Sequence, residues 1–179
     1  SENQMKNLLI PFFFCLVGTG CTVEQDNEKG NSERVPSAQN ETSPDKVREA
    51  SELMSQVNVH IQNQQYLQAL TDAEAALALA PDHAENRFLY CMLRERADES
   101  FSRSKDCYAQ VVKLLSPNGD TPCEANLNCV VADLMAEGDH ASERKEHFLS
   151  LPASEVESEV HHFLLDDFER GRYLRTILP

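Results

Sequence analysis

Tryptophan is absent from this 179-residue chain, and the aromatic residues together make up 7% of it. So small a supply disfavours a large ligand pocket lined by rings. Glycine is scarce too, with six residues, and none of them stands in a Gly-rich phosphate loop or a Gly-x-Ser-x-Gly elbow. Neither nucleotide binding nor a serine nucleophile is therefore written in the chain. Basic side chains number 16 against 30 acidic ones, a formal charge of −14, and they form no patch. Duplex phosphate needs a basic surface, so direct nucleic-acid binding is excluded. No cofactor pattern appears, and the chain reads as a binding protein rather than an enzyme. What remains is the length of one ordinary domain with a tail and 41% apolar residues to fill its core.

No apolar run is long enough for a membrane-spanning helix, which needs about 20 residues. The longest, Leu8 to Val17, has ten and is preceded by Lys6 and followed by Gly18, Thr19 and Gly20. That layout predicts an export signal over residues 1–20. The ending, small residues leading into Cys21, resembles the lipobox of bacterial lipoproteins. The resemblance implies lipidation of Cys21 as the new N-terminus. Thr22 stands where Asp would signal inner-membrane retention, which implies an outer-membrane, periplasm-facing protein. Glu2 and Lys6 cancel, so the processed chain keeps its −14 and acidic headgroups repel it. Attachment then rests on the acyl chains of Cys21.

Residues 21–45 are expected to be a flexible linker. Between Thr22 and Pro44 only Val23, Val35 and one Ala are aliphatic. Such a stretch buries too little apolar surface to offset its ordering entropy, and as a coil it spans roughly 25 to 30 Å.

From residue 46 to 179 the pattern is helical. Val47, Ala50, Leu53, Met54, Val57 and Ile61 recur at three- and four-residue steps. Asn63 and Gln64 interrupt them; Tyr66 to Leu79 form a second run, and Pro81 closes it. Two such helices joined by a short turn pack antiparallel. Residues 50–83 resemble a tetratricopeptide repeat (TPR), carried by Leu53, Tyr66, Ala69, Leu70, Ala73, Ala76, Leu77 and Pro81, with Gln64 where Gly is common at the turn. A degenerate second unit follows over Ala84–Ala97 and Phe101–Leu115, then helices over Cys123–Met135, Ala141–Leu149, Val156–Phe168 and Tyr173–Leu178. An Asn118-Gly119-Asp120 loop precedes the fifth. The expectation is an all-α, short TPR-like solenoid of antiparallel hairpins, about seven or eight helices, since one repeat alone cannot bury its faces.

Four cysteines remain beyond Cys15 and Cys21, an even number that in an exported chain suggests two disulfides. Three pairings are open. Cys91 and Cys107 lie eight residues either side of a turn near Glu99, at one height in an antiparallel pair. Cys123 and Cys129 can close if Cys123 lies just outside a helix. Cys91–Cys107 with Cys123–Cys129 is the favoured pairing. A four-cysteine zinc site, the competitor, uses closer ligand pairs.

The residue types of a metal-binding or enzymatic alternative are His140, Glu143 and His147, which share one helix face. They lie in a stretch, Asp133 to Arg170, with eleven acidic and three basic side chains, where that spacing arises by chance. No metal is assigned. His161 and His162 point apart, and Asp166-Asp167 carry no catalytic pattern. Stacked hairpins form a groove that suits a peptide or extended protein segment. By resemblance to such repeats the protein-binding candidates are Asn58, Gln62, Arg87, Tyr90 and Arg94. The acidic stretch would steer a basic partner. The resulting expectation is a membrane-tethered adaptor or assembly factor, pilotin-like, with an immunity protein against a secreted toxin or lipase as the alternative.

Overall fold

A proline starts the first helix. Pro44 occupies its first turn, where a missing N–H breaks no bond, and Asp45 complements the helix dipole there. The computed structural model describes residues 43–98, 101–117 and 122–179. The expected signal, Cys21, nearly all of the linker, the turn near Glu99 and the Asn118-Gly119-Asp120 loop lie outside the described residues. Helix α1, Pro44–Gln62, begins two residues before the expected start of the helical domain at residue 46 and buries Ala50, Met54, Val57 and Ile61 as one stripe. Gln64, in the left-handed region at φ 58°, reverses the chain.

Helix α2, Tyr66–Leu79, lies on α1 through Ala69, Ala73, Ala76 and Leu77. Its three alanines bring only a methyl group each to the contact, which lets the two backbones approach closely. His60 Nε2 lies 3.3 Å from Asp72 across the pair, and its other ring nitrogen 2.8 Å from Gln65 Oε1. Helix α3, Ala84–Asp98, packs on α2, and α4, Phe101–Leu115, packs on α3. Phe88 and Tyr108 meet edge to face with centroids 6.0 Å apart, a favourable aromatic geometry. Beside them Cys91 is bonded to Cys107, with Cα atoms 5.7 Å apart. This is the pair that counting from the turn favours.

The expected fifth helix is divided. A 3₁₀ turn, Cys123–Ala125, is followed by extended Asn126 (φ −126°, ψ 115°) and then by α5, Leu127–Ala136. Asn126 breaks the run because its side chain caps α5, accepting from the Cys129 N–H at 3.0 Å. Cys123 thereby stands just outside the helix and bonds to Cys129. Helix α5 buries Cys129, Val130, Val131, Ala132, Asp133 and Met135, more than one stripe, as a helix with packed neighbours on several sides must. Those neighbours are α4, α6 (Ala141–Ser150) and, more lightly, α3.

Helix α7, Glu155–Leu165, opens on a capping box between Ser154 and Glu157. It ends three residues before the expected Phe168, because Asp166 is extended and Asp167 takes a left-handed φ of 47°. Helix α8, Arg170–Ile177, begins three residues before the expected Tyr173. The Glu169 carboxylate caps it, accepting from the Gly171 and Arg172 N–H groups. These eight α-helices among the described residues pack mostly in chain order and belong to one unit, Thr42–Pro179. No described helix is long and apolar enough to cross a membrane.

Candidate functional site

The α3–α4 hairpin holds an open cleft of about 350 Å³, lined by Arg87, Tyr90 and Arg94 from α3 and by Asp106, Cys107 and Gln110 from α4. Steps of three and four residues put the three α3 side chains on one face. The disulfide sets the register of the facing helix. With Cys91 opposite Cys107, Arg87, four residues earlier, comes level with Gln110 and Val111. Arg87 donates to Gln110 Oε1 and, through its other terminal nitrogen, to the Pro81 carbonyl, each at 2.9 Å. Its Nε is buried without a hydrogen-bond partner.

Three of the five expected binding residues, Arg87, Tyr90 and Arg94, thus share one concavity. Asn58, half-buried, and Gln62, exposed, stand on α1 and do not line it. Asp106 and Gln110 were not singled out from the sequence. The signal for them existed, since the antiparallel register fixed by the cysteines also says which α4 residues face Arg87.

On the same hairpin, away from the cleft lining, a buried polar group joins distant parts of the chain. The Tyr108 hydroxyl donates to Glu95 Oε2 at 2.9 Å, and Arg170 grips the same carboxylate. Burial first, and the Glu95 charge second, raise the Tyr108 phenol far above its ordinary range. Tyr173, fully enclosed, is raised by burial alone.

The histidine sets stand apart from the cleft lining. His140 is the residue preceding α6 and lies 3.2 Å from Glu143, both of them exposed; His147 is exposed in the last turn of the same helix. His162 pairs with Asp166 at 3.1 Å, whereas His161 leans on the Phe148 ring, centroids 4.7 Å apart. Among the described residues no three His, Cys, Asp or Glu side chains converge to hold a metal. No family model, curated protein or solved structure matches the chain.

Proposed function

We propose that this chain is a lipid-anchored, periplasm-facing adaptor or assembly factor that binds another protein through the α3–α4 cleft, its helices forming a degenerate TPR-like array. The observation that carries the reading is the cleft itself. It gathers Arg87, Tyr90 and Arg94, half-buried side chains rich in hydrogen-bonding and stacking capacity, into one concave surface. Arg and Tyr are the side chains that most often dominate protein interfaces. Anchoring is supported by the signal-like residues 1–20 and the lipobox-like approach to Cys21. Two disulfides suit an oxidising compartment outside the cytoplasm. The acidic helices α5 to α8, none of which lines the cleft, would draw a basic region of the partner toward the domain.

The test is capture by the full chain from the membrane and periplasmic fractions of the producing cell, with identification by mass spectrometry and reconstitution from purified components. A secretin or other envelope-assembly protein is the expected outcome. A toxin or lipase would reassign the chain to the immunity role. Recovery of no reconstitutable partner at physiological salt would overturn the reading, and a Cys21→Ser chain that still fractionates with membranes would overturn the anchor.

A further inference from the structure

We infer that the α3–α4 cleft receives a carboxylate from an extended acidic segment of the partner, an inference that rests on the protein-binding reading above. The two groups that fix Arg87, the Gln110 amide oxygen and the Pro81 carbonyl, are both neutral. They hold the guanidinium in place without cancelling its charge. Two turns along α3, Arg94 makes no ion pair or hydrogen bond among the described residues, and Tyr90 lies between the two arginines. Asp106 is the one acid in the lining, and it pairs with neither arginine. The cleft is thus net positive in a chain whose formal charge is −14.

A guanidinium matches a carboxylate with two parallel N–H donors. One already immobilised by neutral partners loses little further freedom when the ligand arrives, which favours binding. The volume of about 350 Å³ admits a few side chains and no folded body, so the occupant is an extended segment. Asp106 limits what enters. Its charge opposes a second anionic group, while its oxygens can accept backbone N–H groups of the segment. A carboxylate flanked by peptide is therefore preferred to a compact, multiply charged anion such as phosphate.

The inference is tested by titrating the full chain, with its arginine side-chain N–H signals followed by NMR, against three probes. They are an oligoglutamate peptide capped at both ends, a capped oligolysine peptide and inorganic phosphate. Saturable shifts at Arg87 and Arg94 with oligoglutamate alone are expected. Arg94→Gln, which breaks no hydrogen bond or ion pair among the described residues, should weaken that binding roughly tenfold, the worth of one charge-assisted contact. Asp106→Asn should strengthen it. Absence of saturable shifts, equal shifts with phosphate or oligolysine, or indifference to both substitutions would overturn the inference. A natural partner captured at full strength by Arg94→Gln would overturn it too and leave the protein-binding reading standing. Saturable oligoglutamate binding by a chain that captures no partner would do the reverse.

Discussion

Glu95 of α3 and Arg170 at the head of α8 meet fork to fork across 75 residues of sequence. Arg170 Nε donates to one carboxylate oxygen at 2.5 Å and a terminal nitrogen to the other at 2.7 Å. The remaining terminal nitrogen donates to the Met135 carbonyl at the end of α5. The guanidinium also lies over the Tyr108 ring, 5.2 Å from its centroid. One side chain therefore ties α3, α4, α5 and α8 together. Farther along, Arg96 donates to the Leu178 carbonyl and covers the Tyr66 ring, so α3 holds the C-terminal segment at a second point.

Removing one partner of this buried pair should cost far more than removing both. Arg170→Met leaves Glu95, 10% exposed, as a buried charge whose main partner is gone. An expected loss of about 3–5 kcal/mol follows. Glu95→Gln combined with Arg170→Met should recover a large part of it. Urea denaturation of the two single variants and the double variant measures the coupling, and additivity of the single effects would show that the pair is not a unit. Arg170→Lys should fail to rescue, because an ammonium cannot grip both oxygens and the Met135 carbonyl in one plane.

Gly138 closes α5 where no larger residue fits. A Cβ there would stand 2.0 Å from Asp133 Oδ1 and 2.8 Å from its Cγ. Asp133 cannot swing away freely, since it is buried and Arg144 donates to its Oδ2 at 2.7 Å. Gly138→Ala should destabilise the domain by about 1–3 kcal/mol, the usual cost of overpacking. Pairing it with Asp133→Ala removes the clash but also strips Arg144 of its carboxylate. The double variant should therefore remain below the parent in a thermal melt.

Local patterns made the helices legible and left the clasp between α3 and α8 invisible. Ala50, Met54, Val57 and Ile61 repeat at helical spacing and are buried as that spacing requires. Pro44, Gln64 and Pro81 punctuate the chain by the φ values they impose or tolerate. The cysteines supplied long-range information, because a disulfide demands that two residues sit at one height. The break at Asn126 was missed because capping competes with apolar periodicity on nearly equal terms. In the same way the expected helix end at Phe168 and start at Tyr173 overlooked Asp166 and Glu169, whose backbone and carboxylate end one helix and open the next. For the cleft, the α3 residues came from a resemblance, whereas Asp106 and Gln110 of α4 were missed although the hairpin register implied them. Glu95 and Arg170 carry no spacing that links them, since only the tertiary path brings them together.

The two disulfides should differ in worth. Cys91–Cys107 spans 16 residues and Cys123–Cys129 spans six. In the chain-entropy account the longer loop constrains the unfolded state more, about 3 kcal/mol against a little over 2 kcal/mol. Replacing Cys91 and Cys107 together by Ala should therefore lower the denaturation midpoint more than replacing Cys123 and Cys129. Cys107 also lines the cleft, so the first pair of substitutions should loosen the register that sets Arg87 against Gln110. Non-reducing peptide mapping of the protein from its producing cell checks the pairing directly, and four free thiols at these positions would refute it.

Acid should weaken α7 through His161. Burial against Phe148 holds this imidazole below its ordinary value of 6.5; the nearby Glu157 carboxylate opposes the shift and the charge of His162 adds to it. A base whose folded value is depressed binds its proton more readily in the unfolded chain. Its contribution to stability is therefore complete above pH 6.5 and is lost as the pH falls through the folded value. His161→Leu keeps an apolar contact with Phe148 and has no proton to gain. Between about pH 7 and about pH 5, the parent's melting temperature should fall further than that of the variant. Equal falls would show that the ring is as well solvated in the fold as in the open chain. Glu157 adds its own acid loss only at lower pH, below the ordinary carboxylate value, because the Ser154 hydroxyl and N–H hold its carboxyl below the usual range. The capping box should thus survive to lower pH than the Phe148–His161 contact, which amide exchange at the start and middle of α7 can resolve.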